Sequence, residues 1–232
     1  MMNHAQRLSA AAAMALLVAG CAARPTLIQQ QQCYDADAQL AKVLRELDAR
    51  RANGCDAGGG DDCLRARAAV ERQLAVCQAH VPTMMANAVL AYDEGRPVIA
   101  QQLLDPILSQ ARVHPDAAAL RSQIAIEEGN LPFARRLLEQ HLKLSPDHAG
   151  LHEAYGALLY LVGQMADARR QLETARALGA PGWRVAYHLG LIAEALAFPE
   201  EAQKYYAEAI EGNPGWQPAQ SRLRALRLTP AP

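Results

Sequence analysis

Residues 183–214, WRVAYHLGLIAEALAFPEEAQKYYAEAIEGNP, decide the fold of this chain, because their spacing recurs upstream. A small residue at position 197 is followed five positions later by Ala202 and four positions after that by Tyr206. The same three positions recur upstream at one constant step. They are Gly95, Gly129, Gly163 and Ala197; Ala100, Ala134, Ala168 and Ala202; and Leu104, Leu138, Leu172 and Tyr206. Four copies in phase predict a tandem repeat over residues 81–214.

Each repeat unit is predicted to be a pair of α-helices. Alanine, leucine, arginine and glutamine dominate the chain and aromatic residues make up only 5%, which favours helix over sheet. Alanine at positions 100 and 134 lets the two helices of a pair approach, and glycine at positions 129 and 163 suits a left-handed cap between them. One pair cannot bury its apolar face alone, whereas stacked pairs share a continuous core. The sequence therefore predicts an all-α solenoid.

The repeat resembles the tetratricopeptide repeat (TPR), a helical pair of about 34 residues. In the last two copies the matching residues are Tyr155, Gly156, Leu159, Gly163, Ala168, Leu172 and Ala175, and Leu189, Gly190, Ala193, Ala202, Tyr206, Ala209 and Pro214. The first copy departs from the family at Ala88, where a glycine is usual. The resemblance implies four TPR repeats, at residues 81–114, 115–148, 149–182 and 183–214. A capping helix and tail are predicted at 215–232.

The N-terminus is predicted to be an export signal. Arg7 precedes a twelve-residue apolar stretch at 8–19, which is too short to span a bilayer but suits a signal peptide at 1–20. Residues 18–21, VAGC, resemble a bacterial lipobox. That resemblance implies a lipid anchor on Cys21, and Ala22 after it implies the outer membrane; an ordinary secretory signal with a chance cysteine is the alternative. Residues 21–32 are interpreted as a tether.

Four further cysteines are predicted to form disulfides in a helical hairpin at 33–80, because the periplasm is oxidising. Helices at 33–52 and 62–81 flank a glycine-rich loop. An antiparallel hairpin brings Cys33 to Cys77 and Cys55 to Cys63. The other two pairings join ends that lie too far apart for a disulfide. A zinc site, a redox pair and a calcium loop at Asp56, Asp61 and Asp62 are alternatives without the usual ligand spacing.

The TPR resemblance implies a concave groove lined by the first helix of each pair. By repeat position, the groove residues are Met85, Val89 and Tyr92; Ala119, Gln123 and Ile126; Glu153, Ala157 and Tyr160; and Tyr187, Leu191 and Glu194. The lysine–asparagine clamp of chaperone-binding members has no counterpart here. The mostly apolar groove is predicted to hold a helix or an extended segment of a partner protein.

Charge and motifs exclude several other classes of protein. The chain has 23 Lys+Arg against 24 Asp+Glu, which argues against a nucleic-acid partner. Phosphate loops and the HExxH and GxSxG motifs are absent, so we expect no enzymatic activity and no cofactor or metal. His148, His152 and Glu153 lie close enough in sequence to suggest a weak metal site, although solvated or capping histidines are the better interpretation. Two arginine pairs, Arg135–Arg136 and Arg169–Arg170, suggest a basic ridge or a solvated convex face.

Together these features predict an outer-membrane-anchored periplasmic TPR lipoprotein. Its function is expected to be that of an adaptor or scaffold in envelope assembly, with pilus or secretin biogenesis as the closest functional class. Two alternatives remain open at this point. The groove could recruit cell-wall hydrolases or proteases, or it could carry a lipid or glycan intermediate.

Overall fold

The computed structural model describes Cys33 and residues 35–51, 61–110 and 113–228, all of whose regular elements are helices. In order they are α1 (Ala36–Arg51), α2 (Asp61–Val76), α3 (Val81–Asp93), α4 (Pro97–Gln110), α5 (Pro115–Glu127), α6 (Leu131–Leu144), α7 (Ala149–Leu161), α8 (Met165–Ala177), α9 (Gly182–Ala195), α10 (Pro199–Gly212) and α11 (Gln217–Leu228). The predicted all-α fold is confirmed: a hairpin precedes four stacked helical pairs and a final helix. Within the described ranges, none of the helices combines the length and the apolar character needed to cross a bilayer.

A disulfide between Cys33 and Cys77 closes the N-terminal hairpin, as predicted. The two Cα atoms are 5.5 Å apart. Leu40 on α1 and Val70 on α2 are buried together, and Leu90 on α3 joins them, so the hairpin packs on the first repeat. The other predicted bridge, Cys55–Cys63, lies outside the residues and side chains that the structure describes, as do the signal peptide, Cys21, the tether and the side chains of the three loop aspartates.

The second helix of the hairpin is shorter than predicted. The sequence pattern placed it at 62–81, whereas α2 ends at Val76 and α3 begins at Val81. Pro82 explains the difference, because proline fits the first turn of a helix but breaks a helix interior.

Helix α2 has the register of a second helix in the repeat, a feature that the sequence analysis missed. The position of the large apolar residue in the repeat extends upstream by one further step, from Leu104 to Val70. All five residues at this position are fully buried: Val70, Leu104, Leu138, Leu172 and Tyr206. The hairpin therefore extends the solenoid. The first helix of the hairpin does not follow the repeat. The small residue that each first helix of a pair carries would fall at position 54, one step before Ala88, and position 54 lies in the predicted loop after α1.

Within each pair, one small residue on the first helix faces the large residue on the second. A Cβ atom added to Gly190 would lie 2.6 Å from the Tyr206 ring, and one added to Gly156 would lie 2.7 Å from the Leu172 side chain. Both distances are below van der Waals contact. The equivalent residues in the first two pairs are Ala88 and a serine at 122, which are small and fully buried.

The turn between the helices of a pair requires a left-handed residue, as predicted. Gly129 has a φ angle of 76° and Gly163 one of 79°. The following amide closes the turn: the Asn130 amide donates to the Ala125 carbonyl over 2.8 Å. In the fourth pair Ala197 occupies this position with a φ angle of 60°. A side chain with a Cβ atom is disfavoured in that conformation.

The final helix covers the end of the solenoid. Leu223 on α11 packs with Ala193 and Tyr206 of the fourth pair. Just before the helix, the Trp216 ring lies 4.8 Å from the Trp183 ring and 4.4 Å from the Tyr187 ring, centroid to centroid. The apolar face left open by the last repeat is therefore buried within the chain.

The disulfide is expected to hold the hairpin on the solenoid. Replacing both Cys33 and Cys77 by serine should lower the free energy of unfolding by about 4 kcal/mol, because the bridge closes a long loop in the unfolded chain. Urea unfolding followed by circular dichroism, with and without reductant, measures this. Reductant should shift the wild-type midpoint far more than that of the double variant. An equal shift in both would assign the effect to other cysteines.

Replacing Ala197 by glycine should stabilise the protein by about 1 kcal/mol, because glycine removes the left-handed strain at this turn. Ala207 is a matched control: it is exposed in the interior of α10, where the same substitution should destabilise by about 1 kcal/mol. Chemical unfolding of both variants gives the comparison. Destabilisation by Ala197→Gly would contradict the assignment of strain.

Candidate partner-binding groove

Helices α5, α7 and α9 line a cavity of about 180 Å³ in the concave face of the solenoid. The residues around it are Gln123, Ile126 and Glu127 from α5; Glu153, Ala154, Ala157, Tyr160 and Leu161 from α7; and Arg184, His188 and Leu191 from α9. Only first helices of the pairs contribute. The wall is mostly apolar, with polar groups at its two sides.

Half of the predicted groove residues line this cavity. They are Gln123, Ile126, Glu153, Ala157, Tyr160 and Leu191. The other six predicted residues are Met85, Val89, Tyr92, Ala119, Tyr187 and Glu194, and all six are partly exposed. Met85 packs on the core of the first pair, and Ala119 on that of the second. Their contact with a partner stays a prediction.

Sequence reasoning missed two polar residues of the groove on α9. His188 lies one turn and Arg184 two turns before Leu191 on the same face of the helix. This spacing was visible in the sequence, but the family pattern pointed only to positions 187, 191 and 194. Glu127 and Leu161, which occupy equivalent positions in successive repeats, were missed for the same reason.

Glu153 and Arg184 form an ion pair at one side of the cavity. The Arg184 Nε atom lies 2.6 Å from Glu153 Oε1, and the Glu153 side chain is only 3% exposed. Burial raises the pKa of Glu153, and Arg184 opposes this effect. Because a buried carboxylate without its partner is costly, the pair fixes α7 against α9 at this point.

His188 lies beside this pair and is held neutral. Its Nε2 atom is 4.0 Å from Glu153 Oε1. Burial lowers the pKa of His188 to about 4, and the nearby Arg184 guanidinium acts in the same direction. At neutral pH the histidine therefore adds a polar group, but no charge, to the wall of the groove.

At the opposite side, Tyr92, Gln123 and Glu127 form a hydrogen-bonded chain. The Gln123 side-chain amide donates to the Tyr92 hydroxyl over 2.7 Å, and that hydroxyl donates to Glu127. Burial and then Glu127 raise the pKa of Tyr92, while Arg184 lowers it in part.

Two of the predicted groove residues on α9, Tyr187 and Glu194, also hold the final helix. The Tyr187 ring packs on Trp216, and Glu194 accepts a 2.7 Å hydrogen bond from the Tyr206 hydroxyl. Arg222 on α11 lies 3.2 Å from Glu194. Replacing Tyr187 or Glu194 would therefore disturb the fold as well as the groove, whereas the Tyr160 side chain makes no hydrogen bond or ring contact among the described residues.

The histidines considered as metal ligands have structural partners. His148 caps α7: its Nδ1 atom accepts from the Leu151 amide over 3.3 Å, and its Nε2 atom lies 3.0 Å from Asp116. His152 contacts the Gln171 side chain at 2.6 Å and the Pro146 carbonyl at 2.7 Å. In the part of the chain that the structure describes, no three potential ligands gather around a common point.

Three of the four arginines of the suggested basic ridge pair with carboxylates: Arg135 with Glu139, Arg169 with Glu201 and Arg170 with Asp167. On each second helix from α2 to α8, the side chain at one equivalent position of the repeat forms a hydrogen bond to the next repeat. The pairs are Arg67 with Glu94, Gln101 with Glu128, Arg135 with Gln164 and Arg169 with Glu201. Arg170 pairs with Asp167 on its own helix. These contacts support stacking, and among the four ridge arginines the exposed Arg136 is the one without an ion pair in the described residues.

The fold is shared with solved TPR proteins. A thermophilic TPR protein from Thermus thermophilus matches with a TM-score of 0.65 over 84% of this chain and 100% of its own, at 18% identity. PilF of Pseudomonas aeruginosa matches with a TM-score of 0.57 over 87% of this chain and 95% of its own, at 16% identity. The chain has the fold of a TPR solenoid.

A structure of the APC/C hetero-tetramer Cut9–Hcn1 also has this fold. It matches with a TM-score of 0.68 at 14% identity, over 87% of this chain and 39% of the matched one. No protein-family model and no curated protein sequence matches the chain. The TPR similarity therefore rests on structure and on the repeat spacing.

The environment of His188 predicts a pH-dependent stability. Its folded pKa of about 4 lies below the ordinary value of 6.5, so the unfolded chain binds a proton that the folded protein excludes. The stability contributed by neutral His188 is complete above pH 6.5 and lost as the pH falls towards 4.

Between pH 7 and pH 4.5 the wild-type protein should therefore lose about 2–3 kcal/mol more unfolding free energy than the His188→Gln variant. Urea unfolding of wild type and variant at both pH values measures the difference. Identical pH dependence in the two proteins would show that His188 titrates normally in the fold.

Proposed function

We propose that this chain is a periplasmic adaptor, anchored to the outer membrane through Cys21, whose groove holds a segment of a partner protein. The groove carries this proposal. It is a concave, mostly apolar surface with a small set of polar groups at its sides, which is the usual composition of a binding site. Among the similar structures, Cut9–Hcn1 is a complex of two proteins.

The envelope location is supported by the sequence and by the disulfide. The lipobox-like residues 18–21 precede a tether of about a dozen residues, which extended would reach roughly 40 Å. A Cys33–Cys77 bridge suits an oxidising compartment and would be unusual in the cytosol. Both features favour a protein held at a short distance from a membrane on the periplasmic side.

Pilus or secretin biogenesis is the pathway that we propose to test first. The similarity to PilF of Pseudomonas aeruginosa supports the choice at the level of fold. Deleting the gene should leave the secretin unable to multimerise, as judged by gel analysis of outer membranes. Normal multimers would direct attention to the alternatives, recruitment of cell-wall hydrolases or proteases, or carriage of a lipid or glycan.

Replacing Cys21 by serine should release the protein from membranes into the soluble periplasmic fraction, because the lipid anchor is attached to this sulfur. Fractionation followed by immunoblotting measures the distribution. Lys204→Ser, at an exposed position on α10, is the control and should stay with the membrane. Firm membrane association of the Cys21 variant would contradict the lipobox interpretation.

The groove is tested by photocrosslinking in living cells. A photoreactive residue in place of Ala157, on the wall of the cavity, should crosslink to one dominant protein. The same residue in place of Lys204 on the second helix of the last pair should not give that product. Mass spectrometry of the product identifies the partner. Equal crosslinking from both positions, or a lipid product from Ala157, would contradict the proposed protein-binding groove.

A further inference from the structure

Glu127 is a carboxylate on the wall of the groove without a basic partner. It accepts a hydrogen bond from Tyr92, but within the described ranges no lysine, arginine or histidine is paired with it. Glu127 is also the last residue of α5. The C-terminal end of a helix carries a partial negative charge, so this carboxylate and the helix dipole add up instead of cancelling.

The other charges of the cavity cancel one another. Glu153 and Arg184 are an ion pair with an N–O distance of 2.6 Å. His188 adds no charge at neutral pH, because burial lowers its pKa to about 4. Two carboxylates and one guanidinium leave a formal charge of −1 on the lining. The groove therefore attracts a cation and repels an anion such as a terminal carboxylate.

Two tyrosines add to this preference. Tyr92 donates its hydroxyl to Glu127, and Tyr160 lines the cavity from α7. An ammonium or guanidinium group gains from the faces of aromatic rings as well as from the carboxylate. The Tyr160 ring lines the same cavity as Glu127, so an aromatic ring is available to a cation bound there.

The apolar part of the cavity begins one repeat further along. The position equivalent to Glu127 in the next pair is Leu161, and Ala157, Tyr160 and Leu191 continue this apolar surface. The volume of about 180 Å³ is enough for one large apolar side chain, since a cavity of about 150 Å³ holds a benzene molecule. The groove thus offers two different subsites next to each other.

Side chains occupy the groove on both sides of the cavity. Tyr92 of α3 is hydrogen-bonded to Gln123 and Glu127 of α5, and Arg184 of α9 pairs with Glu153 of α7. A helix with its side chains is about 10 Å wide, whereas an extended chain occupies about 5 Å in its narrow direction. Side chains approaching from both walls favour the extended conformation.

We propose that the groove binds an extended partner segment with a lysine or arginine opposite Glu127 and a large apolar side chain in the cavity beside Tyr160 and Leu191. The two side chains lie two or three residues apart, because neighbouring helices are spaced by about 8–10 Å and an extended chain rises by about 3.3 Å per residue. This inference rests on the proposed function, since it specifies the chemistry of the partner for the same groove.

Selection from a phage library of random twelve-residue peptides tests the proposal. The target is the full chain carrying Cys21→Ser, immobilised at pH 7. Selected peptides should be enriched in lysine or arginine two or three positions from leucine, isoleucine, methionine or phenylalanine. Ala157→Arg, which fills the cavity, should abolish their binding while the circular dichroism spectrum stays unchanged.

Two neighbouring glutamates provide a matched pair of variants. Glu127→Gln should weaken binding of the selected peptides five- to tenfold by fluorescence polarisation and remove the basic enrichment from a fresh selection. Glu128→Gln changes the same charge one residue away, outside the cavity lining, and should alter binding less than twofold.

The outcomes separate the inference from the proposed function. Selected peptides that fail to bind the Ala157→Arg variant, but that are acidic or uncharged, would overturn the inference and leave the protein-binding groove intact. A basic residue four or seven positions from the apolar one also overturns it, because those spacings belong to a bound helix. If no selected peptide loses its binding to the Ala157→Arg variant, the result counts against both the inference and the proposed function.

Discussion

The structure depends on the close contact between a small residue on the first helix of each pair and a large residue on the second. At Gly190 and Gly156 the ring of Tyr206 and the side chain of Leu172 occupy the space that a Cβ atom would need. This contact sets the distance between the two helices. Because the same contact recurs once in every repeat, each pair presents an equivalent surface to the next, and the stack continues. Helix α2 joins the stack through Val70 in the same register.

The groove is a consequence of that stacking. Regularly spaced pairs place their first helices side by side on the concave face, so residues about one repeat apart in sequence become neighbours. Glu127 from one pair, Glu153 from the next and Arg184 from the last meet around one cavity. The buried Glu153–Arg184 pair ties α7 to α9, whereas Glu127 is left with its charge uncompensated. Binding specificity is therefore expected to reside in the residues that the repeat does not need.

Much of the fold could be predicted from the sequence, because the repeat positions are both periodic and buried. The glycine turns, the alanine register and the Cys33–Cys77 bridge all followed from spacing. The register of α2 was missed, since the first helix of the hairpin lacks the repeat pattern. The end of α2 was misplaced, because the apolar spacing continued to Val81 while Pro82 started a new helix.

For the groove, the sequence by itself predicted that the first helices line the concave surface, and six of its twelve predicted residues, Ala157 and Leu191 among them, line the cavity. Repeat position is sufficient for this, because the stacking geometry is the same in every pair. Only the tertiary structure decided the electrostatics. Whether a carboxylate is paired or unpaired depends on side chains from other repeats. Arg184 from the following pair neutralises Glu153, whereas Glu127, within the described part of the chain, has only the Tyr92 hydroxyl as a side-chain partner and lies at the negative end of its own helix.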